Sequence, residues 1–223
     1  MHSRTRSLIA VLLLACGTQT VTQKAVIVSR QWEPEIAAYE ASDRTNPPPP
    51  GGVVFTGSSS IRLWKTLQTD FPGVPVLNRG FGGSVLSDAL VYANRIVVPY
   101  KPRVVVLYAG DNDLAAGRTP AQVFADFKEF VAIVHRGLPS TRIAFIAIKP
   151  SILRENMIDK GRATNQLIRD YIATDPRLAY VDVFTPMLDS SGHPRAELFL
   201  EDGLHMNAKG YAIWRDLVAP VIR

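Results

Sequence analysis

Val104-Val105-Val106-Leu107-Tyr108 decides the fold. The run is apolar on both of its faces, so a strand built from it has no side suited to water. Strands covered on both sides belong to parallel sheets flanked by helices. Working outward, short β-branched runs at 53–55, 74–77, 143–148 and 179–183 are further strand candidates. Longer stretches at 60–69, 87–97, 120–136, 156–173 and 208–221 lie between and after them, and we expect these to be helical. The clearest is 120–136, where Val123, Phe124, Phe127, Phe130, Val131 and Val134 recur at i, i+3, i+4 and i+7. Thr119 before Pro120 supplies a cap with proline in the first turn. A further short helix is expected at 33–42, and Pro47 to Pro50 force an extended link. Alternating strand and helix gives an α/β domain with a parallel sheet and helices on both faces.

Composition narrows the functional class. Of 223 residues 47% are apolar and 20% charged, which excludes a disordered chain or a coiled coil. The single cysteine, Cys16, excludes an intramolecular disulfide framework and a multi-cysteine zinc site. The net charge of +5 includes Arg4 and Arg6 of an N-terminal leader and is +3 without them. The remaining cations are scattered, so no nucleic-acid partner is expected.

Residues 1–23 read as a leader and tether, and 24–223 as one domain. Two arginines precede an apolar run from Leu8 to Ala15, too short to span a bilayer and suited to a secretory signal. The run ends Leu13-Leu14-Ala15-Cys16, which resembles a bacterial lipobox. Cys16 is then the expected lipidation site and membrane tether, with an ordinary signal-peptidase site as the alternative. We expect an exported protein, periplasmic or in the cell envelope.

Ligands of parallel α/β folds bind beyond the carboxyl ends of the strands. Four polar segments are placed to do so. Gly57-Ser58-Ser59-Ser60 offers a nucleophile, helix-capping serines or a phosphate cradle. It lacks the second glycine of a nucleophile elbow, since Ile61 stands there. Asn78-Arg79-Gly80-Phe81-Gly82-Gly83-Ser84 offers exposed main-chain N–H groups or a plain turn. Gly110-Asp111-Asn112-Asp113 offers an amide donor at Asn112 or a structural turn. Asp202-Gly203-Leu204-His205 places a carboxylate three residues before a histidine, where it can orient the ring. His2, His135 and His193 show no such neighbour in sequence.

Serine, glycine amide, asparagine and Asp-x-x-His, in that order, resemble the SGNH or GDSL-type hydrolases. This is an esterase and lipase superfamily, and the chain looks especially like its lysophospholipase-like and platelet-activating-factor-acetylhydrolase-like bacterial members. The resemblance covers roughly residues 53 to 215. It implies a three-layer α/β/α sandwich around a parallel, flavodoxin-like five-stranded sheet. It implies a serine esterase with Ser59 as nucleophile, His205 as base and Asp202 as its orienting acid. The Ser59 N–H, the Gly83 N–H and the Asn112 amide would form the oxyanion hole, with no cofactor and no metal. The family's Gly-Asp-Ser is here Gly57-Ser58-Ser59, and register with Gly57 favours Ser59.

The implied substrate is a small-molecule ester: an acyl lipid, a lysophospholipid or an acetylated carbohydrate. Trp64, Phe81 and Met206 adjoin the candidate residues and would line an acyl pocket or pack in the core. Lys149 ends the fourth strand, where it would meet an anionic or sugar group or lie in solvent. Two other classes compete. A metal-dependent phosphoesterase would draw on Asp111, Asp113, Asp202 and His205, and a cell-envelope glycan-binding lipoprotein would keep the fold without turnover. A flavodoxin-like cofactor binder leaves Asp202 and His205 unexplained. The sequence is silent on oligomeric state.

Overall fold

The computed structural model describes residues 30–223; the leader, its tether and Cys16 lie outside the described residues. Five strands, β1 (Val53–Gly57), β2 (Val76–Gly80), β3 (Val104–Tyr108), β4 (Arg142–Ile146) and β5 (Leu178–Val181), form one sheet. All neighbours are parallel, in the order β2-β1-β3-β4-β5. The order reverses between β1 and β3, so the crevice that such folds use for ligands opens beyond these two strands.

Successive residues of a strand point to opposite faces, and here each face meets its own helices. Val54, Val105, Leu107, Ile143 and Phe145 face one layer. It contains α1 (Glu33–Thr45), α4 (Leu86–Ile96), α6 (Pro120–Gly137) and α7 (Ile158–Ile172), whose buried residues Ile36, Ala89, Phe127 and Ile168 meet the strands. Val53, Phe55, Val104, Val106 and Ile146 face the other layer. There α2 (Ser59–Arg62), α3 (Leu67–Asp70) and α8 (Ala208–Ile222) surround an aromatic group of Trp64, Phe71, Tyr211 and Trp214. A short helix α5 (Asp111–Ala115) follows β3. The architecture is the expected α/β/α sandwich.

Polar side chains explain where the elements depart from expectation. The second strand begins at Val76, after Pro75, which has no N–H to donate, and continues through Asn78 and Arg79. Asn78 stays in the strand because its amide donates to the Ile61 carbonyl at 2.7 Å. Arg79 is buried against Asp43 and Tyr100. The helix expected at 60–69 breaks in two. Trp64 turns inward and donates to Asp70 at 2.6 Å, and the Thr66 hydroxyl donates to the same carboxylate at 2.7 Å. Strand β4 ends at Ile146, before the expected Ile148. The Ile148 N–H and C=O are taken instead by the Asn165 amide, at 2.8 and 2.9 Å. Helix α6 follows its pattern, with a reciprocal cap between Thr119 and Gln122. No helix among the described residues is long and apolar enough to cross a membrane.

Candidate active site

The four polar segments converge beyond the carboxyl ends of the strands. Gly57 closes β1 with a positive φ of 118°, Ser58 is extended, and Ser59 opens a helix of only four residues. Ser58 and Ser60 are buried, whereas Ser59 is partly exposed. The Ser59 hydroxyl lies 3.0 Å from His205 Nε2.

His205 sits on a tight loop that its own main chain closes. The Leu200 N–H donates to the His205 carbonyl at 2.8 Å, and Phe199 bridges to Met206. Asn207 then caps α8 through Lys209 N and Gly210 N, while its amide donates to Glu197 O and Phe199 O. The ring is therefore held from both sides. Its Nδ1 lies 2.6 Å from Asp202 Oδ2, and Asp202 Oδ1 accepts from the Leu204 and His205 main-chain N–H groups at 2.9 Å. Burial pushes the Asp202 carboxyl up, but the ring and the two N–H groups outweigh it and hold it at about 2. An ionised carboxylate only accepts, so the proton is on Nδ1 and Nε2 is free to take one from Ser59.

Gly83 has a φ of 71° and lies against the Trp32 indole, which a Cβ would approach to 3.3 Å. Asn112, in α5, donates from Nδ2 to the Ser84 carbonyl at 3.0 Å. Ser59 is the first residue of its helix, so its N–H has no partner within that helix. Ser59, His205 and Asp202 thus form one hydrogen-bond chain, an arrangement that can activate a hydroxyl.

Comparison with known proteins identifies the family. Residues 49–213 match the model of the GDSL-like lipase/acylhydrolase family. The chain belongs to that family. It is a carboxylic ester hydrolase of the SGNH/GDSL superfamily. Among curated relatives, it is 29% identical over 167 residues to the platelet-activating factor acetylhydrolase IB subunit alpha1 of Bos taurus, covering 71% of this chain and 69% of that one. Among solved structures, a Streptococcus pneumonia protein named for platelet activating factor superposes with a TM-score of 0.78 at 19% identity, covering 88% of this chain and 94% of that one. A GDSL-like lipase from Bacteroides thetaiotaomicron superposes with a TM-score of 0.72 at 20% identity, covering 84% and 96%.

Four residues of this GDSL-like chain were weighed as substrate neighbours, and all four are buried. Trp64, Phe81 and Met206 are buried in the cores, because each finds a more complete apolar contact there than at the surface. Lys149 is buried too, 3.8 Å from Asp111 Oδ2 and 5.8 Å from the Phe199 ring centre. Burial pushes its ammonium pKa down, while Asp111 pulls it back up. The acids that a metal reading would need are committed. Asp111 pairs with Arg154 at 2.9 Å, Asp113 accepts from the Leu86 N–H, and Asp202 holds His205. Among the described residues no three His, Cys, Asp or Glu side chains converge as a metal set.

Two site neighbours were not visible in the sequence. Trp32 backs Gly83 and donates to Asp88 at 3.0 Å. Arg154 donates to Asn112 Oδ1 at 2.8 Å. His193, which has no Asp-x-x-His spacing in the sequence, pairs with Glu155, the residue after Arg154. Each contact joins residues dozens of positions apart, and no local spacing announces it.

Proposed function

We propose that the protein is a serine esterase that cleaves small carboxylic esters through an acyl-enzyme on Ser59. The observation that carries this reading is the continuous hydrogen-bond chain from Ser59 Oγ to His205 Nε2, and from Nδ1 to Asp202. As Ser59 attacks the ester carbon, its proton passes to His205 Nε2 and the carbonyl oxygen becomes an oxyanion. The Ser59 and Gly83 N–H groups and the Asn112 amide receive that oxyanion, while Asp202 stabilises the imidazolium. Collapse breaks the ester bond, and the leaving alkoxide takes the proton from Nε2. Water then gives its proton to the same nitrogen and attacks the acyl-enzyme. A second collapse returns the proton to Ser59 and releases the acid.

The substrate we favour carries a short acyl group. The curated relatives are named for acetyl hydrolysis, and most connections between the described elements are short. Export through a leader at residues 1–23, with Cys16 as lipid acceptor, belongs to the same proposal and rests on the sequence.

A fluorophosphonate probe tests the nucleophile. Mass spectrometry of the digested adduct should place the label on Ser59 and find none after His205→Ala. A label on Ser58 or Ser60, or none on the folded native chain, would overturn the assignment.

A further inference from the structure

We propose that Arg154 is a positioning residue for Asn112, fixing which end of its amide faces the reacting carbonyl. The proposal rests on the oxyanion role given to Asn112 above.

The two ends of an asparagine amide are nearly equal in size, so only their partners fix the orientation. Here Arg154 Nη2 donates to Asn112 Oδ1 at 2.8 Å, and Asn112 Nδ2 donates to Ser84 O at 3.0 Å. Rotated by half a turn, the amide would set Oδ1 against the Ser84 carbonyl and Nδ2 against the guanidinium. Both contacts would then join like groups. The observed orientation is the one that both neighbours accept, and it leaves the second hydrogen of Nδ2 free for an oxyanion. The guanidinium also polarises the amide, because positive charge at Oδ1 draws electron density from nitrogen and makes its N–H a better donor.

The guanidinium is itself fixed. Arg154 Nη1 lies 2.9 Å from Asp111 Oδ2, and the two side chains are only 18% and 9% exposed. A planar fork that meets a carboxylate and an amide oxygen together is a task for arginine and not for lysine, whose ammonium is a point charge. The 3₁₀ segment Ile152–Met157 that carries Arg154 reaches the histidine loop as well, where Leu153 N–H donates to Gly203 O at 3.0 Å. One segment thus braces the asparagine through a side chain and the histidine loop through its backbone. Asp111 does not depend on Arg154 alone for a counter-charge, because Lys149 Nζ lies 3.8 Å from it.

The test compares the full-length protein with Asn112→Ala, Arg154→Met, Arg154→Gln, Arg154→Lys and the double variant Asn112→Ala/Arg154→Met, using p-nitrophenyl acetate. Melting curves confine the comparison to folded protein, and Arg154→Gln keeps the test open if the methionine variant does not fold. Arg154→Met should lose about tenfold in kcat, less than the 10²–10³ that loss of a whole oxyanion donor costs, with KM within twofold. Arg154→Lys should recover only part of the loss. Added to Asn112→Ala, the Arg154 change should cost nothing further. Wild-type kcat in the folded Arg154 variants would overturn the proposal. So would a rise confined to KM, or an undiminished further loss in the Asn112→Ala background, since either would make Arg154 a substrate contact or a structural support. Wild-type turnover in Asn112→Ala would instead remove the oxyanion reading itself.

Discussion

Gly57 lies so close to Tyr108 that a Cβ on Gly57 would sit 1.9 Å from the Tyr108 carbonyl oxygen. The same carbonyl accepts the Ser58 N–H at 2.9 Å. Strands β1 and β3 therefore run in main-chain contact at the point where the chain leaves the sheet to present Ser59. The clash is with backbone and cannot be relieved by turning a side chain. Gly57→Ala should lose more than about 4 kcal/mol, the range of exceptional single substitutions, and fail to fold or melt far below the native protein. Thermal unfolding followed by circular dichroism checks this, and a melting point within a few degrees of wild type would contradict the close approach.

Asn112→Ala should lower kcat by about 10²–10³ with little change in KM, because an oxyanion donor acts mainly in the transition state. Steady-state kinetics on a short-chain ester measures it. Unchanged turnover would remove Asn112 from the oxyanion hole.

Asp113 supplies a pH dependence of stability. Burial pushes its carboxyl up to about 6, with the Leu86 N–H and Arg118 pulling the other way. In the unfolded chain it titrates near 3.8. Between these values the native state holds a proton that the unfolded chain has released, so this group's contribution to stability falls as pH rises. Asp113→Asn removes that term and keeps an acceptor for the Leu86 N–H. Its stability relative to wild type should rise by on the order of 2 kcal/mol from pH 4 to pH 7. Urea unfolding at intervals across that range gives the comparison, and parallel curves would show that Asp113 does not titrate there.

Trp64 separates core packing from substrate contact. Its ring is buried against Phe55, Phe71, Tyr211 and Trp214, and its N–H donates to Asp70. Trp64→Phe should lose about 1–3 kcal/mol, the cost of unmaking a buried hydrogen bond and trimming a core ring. KM for short-chain esters should stay as it is. A changed KM at unchanged stability would return Trp64 to the acyl site.

Much of this architecture was legible because its signals are local. The run Val104–Tyr108 carries its double-sided burial in five consecutive letters, and Thr119-Pro120 announces α6 in two. Ser59, Asn112 and Asp202 with His205 could be read because each directly follows a strand or precedes a helix, where the fold must place it. Strand β2 was read short because Asn78 and Arg79 look like loop residues until their partners Ile61 and Asp43 are known. Lys149 and Trp64 were left between two readings because sequence adjacency to a site does not reveal the direction of a side chain. Arg154 and Trp32 were missed for the complementary reason: their contacts with Asn112 and Gly83 are made only by tertiary packing.

The most direct test of the central claim is hydrolysis of p-nitrophenyl acetate by the native protein and by Ser59→Ala, each with and without a chelator. The account predicts turnover that the chelator leaves intact and that Ser59→Ala abolishes while melting like the native protein. Turnover that survives Ser59→Ala, or that the chelator removes, would contradict it.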